Sequence, residues 1–193
     1  MAYLSREQIE RMGFASLGQM VLISSRASFY NCSNISIGNH VRIDDFCVLS
    51  AGVGGINIGN YIHVAVATTL IGAGKITLSD FCNLSSRVSI YSSSDDYTGE
   101  FMTNPMVPTE YTGVKHADVF LGKHVIVGSG TVILPGAMIG EGTAVGALSL
   151  VAKSLDPFEI YAGSPLKHIR SRCRRILELE MQMLLATTDD KDI

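Results

Sequence analysis

Apolar residues recur every six positions along most of the chain, and a glycine often follows them. The pattern is most regular in "LGKHVIVGSGTVILPGAMIGEGTAVGALSLVAK", residues 121 to 153. Five groups of three apolar residues have this spacing: Ile37, Ile43 and Leu49; Ile58, Val64 and Leu70; Leu78, Leu84 and Ile90; Leu121, Val127 and Ile133; Ile139, Val145 and Val151. Such a period is typical of repeat architectures, in which short units stack and together bury one continuous core.

The phase of the repeat shifts only after a third unit, between Leu49 and Ile58, between Leu70 and Leu78, and between Ile90 and Leu121. Extra residues therefore collect at one corner, which predicts three units per turn and a triangular prism. Because strand side chains alternate between faces, the residue four positions after each of these apolar residues should also face inward. These residues are small or branched: Val41, Cys47, Cys82, Val88, Val125, Thr131 and Thr143. We expect five full coils after a less regular lead-in, residues 21 to 35.

The two ends of the chain predict helices. Ser5 and Gln8 form a capping-box pattern that opens "SREQIERM", and this helix should cover one end of the prism. From about Pro165, "PLKHIRSRCRRILELEMQMLL" has apolar residues near helical spacing, and a polar tail, "ATTDDKDI", follows. The predicted organisation is a helical cap at residues 1 to 20, a solenoid at 21 to 164 with an inserted loop at 91 to 120, and a helix and tail at 165 to 193.

Composition narrows the function classes. The 193 residues suit one domain, and the abundance of glycine with no tryptophan favours a β repeat. A net charge of −3 argues against a nucleic-acid binder that depends on basic patches. The charged N-terminus does not suit a signal peptide, and no apolar run approaches ~20 residues, so we expect a cytoplasmic protein without a membrane span. The four cysteines lack zinc-site spacing, and we expect no metal.

The repeat, the phrase "VILPGAMIGEGTAVGALSLVAK" and the closing "YAGSPLKHIRSR" resemble the hexapeptide-repeat acyltransferases over residues 35 to 172. The resemblance implies an all-β solenoid, a left-handed parallel β-helix. Its handedness comes from the resemblance alone, because parallel crossovers are otherwise right-handed. The family also implies a homotrimer whose active sites lie in clefts between adjacent prisms, with acetyl-coenzyme A along the C-terminal coils.

Acyl transfer requires a base for the acceptor's proton and a hydrogen-bond donor for the developing oxyanion. In the galactoside and maltose acetyltransferase branch, the base histidine stands in a phrase like "IGSHVVINPG", but the similar "VGSGTVILPG" here has Gly130 at that position. In the streptogramin and chloramphenicol branch, the histidine stands at the start of the long loop, where this chain has Asp95 and Asp96. Paired or buried carboxylates can have a raised pKa, and an amine acceptor needs less base assistance. Asp95, Asp96 and His116 are the catalytic candidates.

The inserted loop is where a monotonous scaffold most often carries function, although a structural flap or an oligomer contact is the alternative. Its acceptor-binding candidates are Tyr97, Phe101, Asn104 and Tyr111, and packing of the loop on the prism is the alternative role for the aromatic members. The coenzyme candidates are the small residues Ser129, Gly146, Ala147 and Ala152 and the cations Lys153, Lys167 and Arg170. A solvated helix face is the alternative for the basic cluster.

The remaining histidines have structural interpretations. His40 and His124 occupy turn corners, and His124 is expected to face solvent. His63 could lie on a subunit interface, and His168 is expected on the surface of the closing helix.

These observations predict a trimeric enzyme that moves an acetyl group from acetyl-coenzyme A to a sugar. The phrase "SSSDDYTGEFMTNPMVP" is similar to that of enzymes modifying bacterial surface polysaccharides and nucleotide sugars. Gly130 in place of the histidine favours the amino group of a nucleotide-linked amino sugar as acceptor. A sugar O-acetyltransferase of the same pathways is one alternative, and a non-catalytic β-helix that serves binding or assembly is another.

Overall fold

The computed structural model describes residues 2 to 189, with side chains as far as residue 186. Its helices are α1 (Arg6–Glu10) and α2 (Arg175–Asp189), with 3₁₀ turns at Cys32–Asn34 and Thr109–Tyr111. The strands are β1 (Ser16–Leu17), β2 (Leu22–Ile23), β3 (Ser28–Tyr30), β4 (Ile35–Ile37), β5 (Val41–Ile43), β6 (Val48–Ala51), β7 (Ile56–Ile58), β8 (Ile62–Val64), β9 (Thr69–Gly72), β10 (Ile76–Leu78), β11 (Asn83–Leu84), β12 (Ser89–Tyr91), β13 (Ser93–Ser94), β14 (Lys115–His116), β15 (Val119–Leu121), β16 (Ile126–Val127), β17 (Val132–Ile133), β18 (Met138–Ile139), β19 (Ala144–Val145), β20 (Leu150–Val151), β21 (Glu159–Ala162) and β22 (Lys167–Ser171).

Three sheets run along the prism. The first sheet holds β1, β4, β7, β10, β15 and β18, the second holds β2, β5, β8, β11, β16, β19, β21 and β22, and the third holds β3, β6, β9, β12, β17 and β20. Successive strands take turns among the three sheets, and the pairing is parallel and in register, so that Leu78 pairs with Ile58 and with Leu121. The predicted triangular coil is therefore confirmed.

The hexad residues fill the core. The inward residues four places into each hexad, Val41, Cys47, Cys82, Val88, Val125, Thr131 and Thr143, are all buried. The two threonines fit an apolar interior because their hydroxyls donate to backbone carbonyls, at 3.0 Å to Gly146 and 2.6 Å to Asp156. The core thus follows the sequence pattern, including its polar exceptions.

The N-terminal end is more regular than the sequence pattern predicts. Strands β1 to β3 form a complete coil of their own, in which Leu17, Ile23 and Phe29 keep the six-residue spacing, so six coils are complete. This segment was predicted as an irregular lead-in, and the coil was not predicted from the sequence. Leu17 and Phe29 are only partly buried, because the coil lies at the end of the stack. The capping box at Ser5 is confirmed, and α1 contributes the buried Ile9 to the core.

The prediction of a helix from about Pro165 was wrong over its first ten residues. Strand β22 forms there and pairs antiparallel with β21, and α2 begins only at Arg175. Strand β21 is the last parallel strand of its sheet, and its free edge gains a hydrogen-bonded partner in β22. Helix α2 includes residues 186 to 189 of the predicted tail, and residues 190 to 193 lie outside the described residues.

A stack of aromatic rings follows the corner between the first and second sheets. His40, Tyr61, Phe81 and His124 stack with centroid distances of 4.6, 5.0 and 4.9 Å. These distances match the spacing between adjacent strands, because each ring comes from the same position of successive coils. His124 is not solvent-facing as predicted: its side chain is 10% exposed, and its Nε2 lies 2.7 Å from Glu180 Oε2 of α2.

Candidate active site

The long insertion leaves the prism after β12 and returns at β15, at the corner between the third and first sheets. Its two ends are held together by the antiparallel pair β13–β14, in which Ser93 is opposite His116. Just before this pair, Ser92 is completely buried, and its hydroxyl donates to the carbonyl of Gly74 at 2.7 Å. The base of the loop is therefore fixed on the rigid scaffold.

Ser93 connects the prism to the predicted residue His116. Its hydroxyl oxygen accepts the N–H of Ala73 at 2.7 Å and lies 2.7 Å from His116 Nδ1. Since the oxygen already accepts from Ala73, its own proton is available to donate to the imidazole. The structure thus places His116 at the base of the loop, held in orientation by a serine that the sequence analysis did not select.

Asp96 is used within the loop itself. It is buried, and its carboxylate accepts hydrogen bonds from the Thr98 hydroxyl at 2.9 Å and from the N–H of Gly99 at 2.8 Å. Burial raises the pKa of the Asp96 carboxyl, but the hydrogen bonds from Thr98, Gly99 and Phe101 outweigh burial and leave this pKa below its ordinary value. The raised pKa expected for a carboxylate base at this place is therefore not found at Asp96.

Asp95 is exposed and lines two cavities together with Ser93. The smaller cavity, about 380 Å³, faces the fifth coil and is also lined by Tyr91, Tyr97 and Val132. The larger cavity, about 500 Å³, lies beneath the loop toward the third coil and is lined among others by Ile71, Asn104, Val107 and Val114. A group in either cavity can reach the same carboxylate.

The predicted acceptor residues fall into two groups. Tyr97 lines the smaller cavity and Asn104 the larger one. Phe101 instead packs on the loop, where a Cβ at Gly113 would lie 2.5 Å from its ring. Tyr111 lies in the 3₁₀ turn of the loop, and its carbonyl accepts the N–H of Met102 at 2.9 Å. Phe101 therefore takes part in the packing of the loop, whereas Tyr111 contributes a backbone hydrogen bond and its side chain is exposed.

The predicted coenzyme residues flank the outer face of the third sheet in the last two coils. Ser129 and Ala147 follow β16 and β19 at one edge of this sheet, and Ala152 and Lys153 follow β20 at the other edge. Gly146 has a packing role, because a Cβ there would lie 2.8 Å from Ala162 Cβ.

The two C-terminal cations lie on a strand rather than on the predicted helix. Lys167 pairs with Ala162 and Arg170 with Ile160 in the β21–β22 hairpin, and both cations are exposed. His168, expected on a helix surface, is exposed on the same strand, with its Nε2 2.6 Å from Glu159 Oε2.

A second histidine pairs with a carboxylate on the outer face of the second sheet. His63 Nε2 lies 2.8 Å from Asp44 Oδ2, and the other oxygen of Asp44 accepts Arg42 Nε at 2.7 Å. These residues meet because Arg42 and His63 are paired in adjacent coils. Among the described residues, no group of three or more histidine, cysteine, aspartate and glutamate side chains could hold a metal ion, and no helix is long and apolar enough to cross a membrane.

No protein-family model matches the chain. The chain is 56% identical over 180 residues to the dTDP-4-amino-4,6-dideoxy-D-glucose acyltransferase of Escherichia coli. The alignment covers 93% of this chain and 94% of that protein. It is 28% identical to the putative lipopolysaccharide biosynthesis O-acetyl transferase WbbJ of Escherichia coli strain K12, over 82% of this chain and 88% of that protein.

Two solved structures show the same architecture. AntD, an N-acyltransferase from Bacillus cereus in complex with dTDP and 3-hydroxybutyryl-CoA, superposes with a TM-score of 0.93 at 46% identity, over 96% of this chain and 98% of that chain. A galactoside acetyltransferase in complex with coenzyme A has a TM-score of 0.60 at 23% identity, over 88% and 71% of the two chains, and supports the fold alone. The coil, the closing hairpin and these similarities agree on a left-handed parallel β-helix, and the chain belongs to the hexapeptide-repeat sugar acyltransferases, enzymes that use acyl-coenzyme A.

Proposed function

We propose that this enzyme transfers an acetyl group from acetyl-coenzyme A to the 4-amino group of a dTDP-4-amino-4,6-dideoxyhexose, for bacterial surface polysaccharide. The Escherichia coli relative is named for dTDP-4-amino-4,6-dideoxy-D-glucose, and AntD has been solved with that sugar nucleotide and coenzyme A. The observation that carries the proposal is the junction at Asp95 and Ser93, where the two cavities meet. The junction offers one carboxylate to two substrates arriving from opposite sides.

The two cavities suit the two substrates differently. The smaller cavity adjoins the outer face of the third sheet in the fifth coil, beside the predicted coenzyme residues Ser129, Ala147, Ala152 and Lys153, so the thioester arrives from this side. Lys167 and Arg170 on the hairpin add positive charge for phosphates at the far end. The larger cavity beneath the loop receives the acceptor sugar, with Asn104 and the polar groups of the loop in its lining.

The proposed acyl transfer then depends on one catalytic side chain of the protein. Asp95 accepts a hydrogen bond from the acceptor amine and orients it, the nitrogen attacks the thioester carbonyl carbon, and the carbon–sulfur bond breaks. The amine proton passes through Asp95 to the departing thiolate, which leaves as the thiol of coenzyme A. Ser93 and His116 lie at the same junction and keep the loop base in place. Asp96 holds the turn that presents Asp95.

A spacing in the Bacillus cereus relative agrees with this site. AntD has been solved with an aspartate replaced by asparagine or alanine, and with a serine ten residues earlier replaced by alanine, cysteine or threonine. In this chain Ser85 with Asp95, and Ser86 with Asp96, have that spacing. Ser85 and Ser86 follow β11 at one edge of the third sheet, and the aspartates follow β12 at its other edge.

We infer that three copies of the chain assemble around such clefts. The outer side of the third sheet and its corner expose Leu148, Leu150 and Tyr30, with 76%, 38% and 57% of their surfaces accessible in the single chain. An exposed apolar pair such as Leu148 and Leu150 is typical of a protein contact, and Tyr30 lies at the opposite end of the same sheet, on β3. We also infer a cytoplasmic enzyme, since all four cysteines are free thiols and two of them, Cys47 and Cys82, are small buried core residues.

Thiol release tests the proposal directly. Purified protein, acetyl-coenzyme A and dTDP-4-amino-4,6-dideoxyglucose should release free coenzyme A thiol and give a product heavier by one acetyl group on nitrogen. Transfer only to a hydroxyl of a sugar lacking the amine would instead support the O-acetyltransferase alternative, which the similarity to WbbJ favours. No transfer and no thermal stabilisation by acetyl-coenzyme A would support a non-catalytic scaffold. 3-Hydroxybutyryl-coenzyme A, the ligand of AntD, should be compared as donor.

A further inference from the structure

The cavity beneath the loop is chemically two-sided. Ser93, Asp95, Asn104, Thr109 and Thr112 give it hydrogen-bonding groups, whereas Ile71, Val107 and Val114 give it a hydrocarbon surface. We call these last three residues the apolar wall. With the acceptor assigned to this cavity, an amine at Asp95 has its neighbouring sugar atoms inside the same cavity.

The apolar wall is built from two parts of the chain. Ile71 lies on β9 in the third coil, where it pairs with Ser50 and Tyr91 of the adjacent coils. Val107 and Val114 come from the loop, and Val107 donates its N–H to the carbonyl of Asn104 at 3.3 Å.

Local contacts hold the loop part of the wall in shape. The Asn104 side chain accepts the N–H of Met106 at 3.0 Å, and Met102 forms a bridge with Thr112. The N–H of Met102 also donates to Tyr111 at 2.9 Å. These contacts hold the loop part of the wall together, and the β13–β14 pair joins the two ends of the loop at Ser93.

We propose that the apolar wall selects the 6-deoxy position of the acceptor, a specificity that rests on the proposed function. In a 4-amino-4,6-dideoxyhexose the methyl carbon C6 is attached to C5, the direct neighbour of the carbon that bears the amine. Packing this methyl group against Ile71, Val107 and Val114 removes apolar surface from water. The hydroxymethyl group of a 6-hydroxy sugar would lose its hydrogen bonds to water at the same surface.

The expected discrimination is moderate. A hydrophobic pocket rejects an analogue that adds one hydroxyl by up to about a hundredfold, because the hydroxyl can partly turn toward water or a polar neighbour. We therefore expect kcat/KM for dTDP-4-amino-4,6-dideoxyglucose to exceed that for dTDP-4-amino-4-deoxyglucose by about 10- to 100-fold. The difference should lie mainly in KM.

Isosteric variants test the wall. Val107→Thr and Val114→Thr keep the side-chain shape but add a hydroxyl, and each should reduce the preference for the 6-deoxy acceptor by about threefold or more, through a lower KM for the 6-hydroxy sugar. Val53→Thr is the matched control, because Val53 is 94% exposed and is not part of the cavity lining. The control should leave the preference unchanged, and the thermal midpoint of each variant reports whether it is folded.

The outcomes separate this inference from the proposed function. Equal efficiency with both acceptors, or an unchanged preference in both folded wall variants, would overturn the selection by the wall while leaving the acyl transfer intact. A change in the preference between acetyl- and 3-hydroxybutyryl-coenzyme A, with acceptor preference unaltered, would place the acyl group at the wall and also overturn the inference. Transfer to neither acceptor would overturn the proposed function and this inference with it.

Discussion

The Ser93 hydroxyl oxygen lies 2.7 Å from Nδ1 of His116, and the two residues face each other across the two strands that close the base of the loop. The contact joins the start and the end of a long insertion at a single point. Ser93 also lines both cavities, so a small movement of this pair would change the geometry around Asp95.

Asp95→Asn should lower kcat by about a hundredfold or more, because it removes the carboxylate proposed to orient and deprotonate the amine. The side chain is exposed, so the thermal midpoint should stay close to that of the parent enzyme. Steady-state kinetics measure the change in kcat, and a thermal melt measures the change in the thermal midpoint. A kcat within threefold of the parent would remove Asp95 from the proposed mechanism.

Asp96→Asn should act differently, although sequence alone favours the same catalytic role for both aspartates. The variant weakens the acceptor of the Thr98 and Gly99 hydrogen bonds, so the turn should loosen and hydrogen exchange in residues 96 to 101 should accelerate. We expect a higher KM for the acceptor with a smaller loss in kcat than in Asp95→Asn. If hydrogen exchange is unchanged in Asp96→Asn and its kcat falls further than in Asp95→Asn, Asp96 has the catalytic role and Asp95 the structural one.

His116→Ala should have a modest effect, about three- to tenfold on kcat/KM, if its role is to hold Ser93 at the loop base. His116→Gln, which can still accept from the Ser93 hydroxyl, should recover most of that loss. Both variants are compared with the parent enzyme by measuring kcat/KM as a function of pH. A collapse of kcat that Gln does not rescue, together with loss of the acidic limb of the pH–rate profile, would make His116 the base.

Attachment of α2 should depend on pH through Glu180. Its carboxylate contacts Lys123 and His124, and although burial raises the pKa of Glu180, these two hydrogen bonds outweigh burial and lower it below the ordinary 4.5. A lowered folded pKa gives stability that is present above pH 4.5 and lost as pH falls through the folded value. The protection of α2 amides from hydrogen exchange, relative to their intrinsic exchange rates, should therefore fall below about pH 4.5. In Glu180→Gln this pH dependence should disappear, and its persistence would assign it to another group.

Core and surface leucines should respond very differently to truncation. Leu84 is completely buried in the fourth coil, so Leu84→Ala should reduce the free energy of unfolding by about 2–5 kcal/mol. Leu148 is 76% exposed, and Leu148→Ala should change the free energy of unfolding of the single chain by less than about 0.5 kcal/mol. Urea unfolding at protein concentrations low enough to give single chains measures both values. Similar losses at the two positions would contradict the assigned core.

The inferred trimer can be tested at Leu150 on the outer face of the third sheet. Sedimentation should give the mass of three chains for the parent enzyme, and Leu150→Asp should shift the distribution toward monomers by placing a charge in the contact. Activity should fall with the trimer fraction, because the inferred assembly places a second chain against the cavities that the first chain lines around Asp95. A monomeric and active parent enzyme would exclude the inferred assembly.

Sequence alone determined the scaffold. Hexad spacing assigned Ile37, Leu84, Val127 and their equivalents to the core, and the phase shifts identified the corner that carries the long insertion. The capping box at Ser5 could also be recognised from the sequence. These features are local or strictly periodic, so they depend on residues close in the chain and leave a repeated signal.

Tertiary structure decided the rest, because the deciding contacts join residues far apart in the chain. Strand β22 replaced the predicted helix because its partner is β21, and His124 became buried because Phe81 stacks on it and Glu180 of α2 pairs with it. Asp95 and Asp96 are chemically identical neighbours in sequence. Only the folded loop, whose backbone N–H groups point at Asp96 and leave Asp95 exposed between two cavities, gives them different environments.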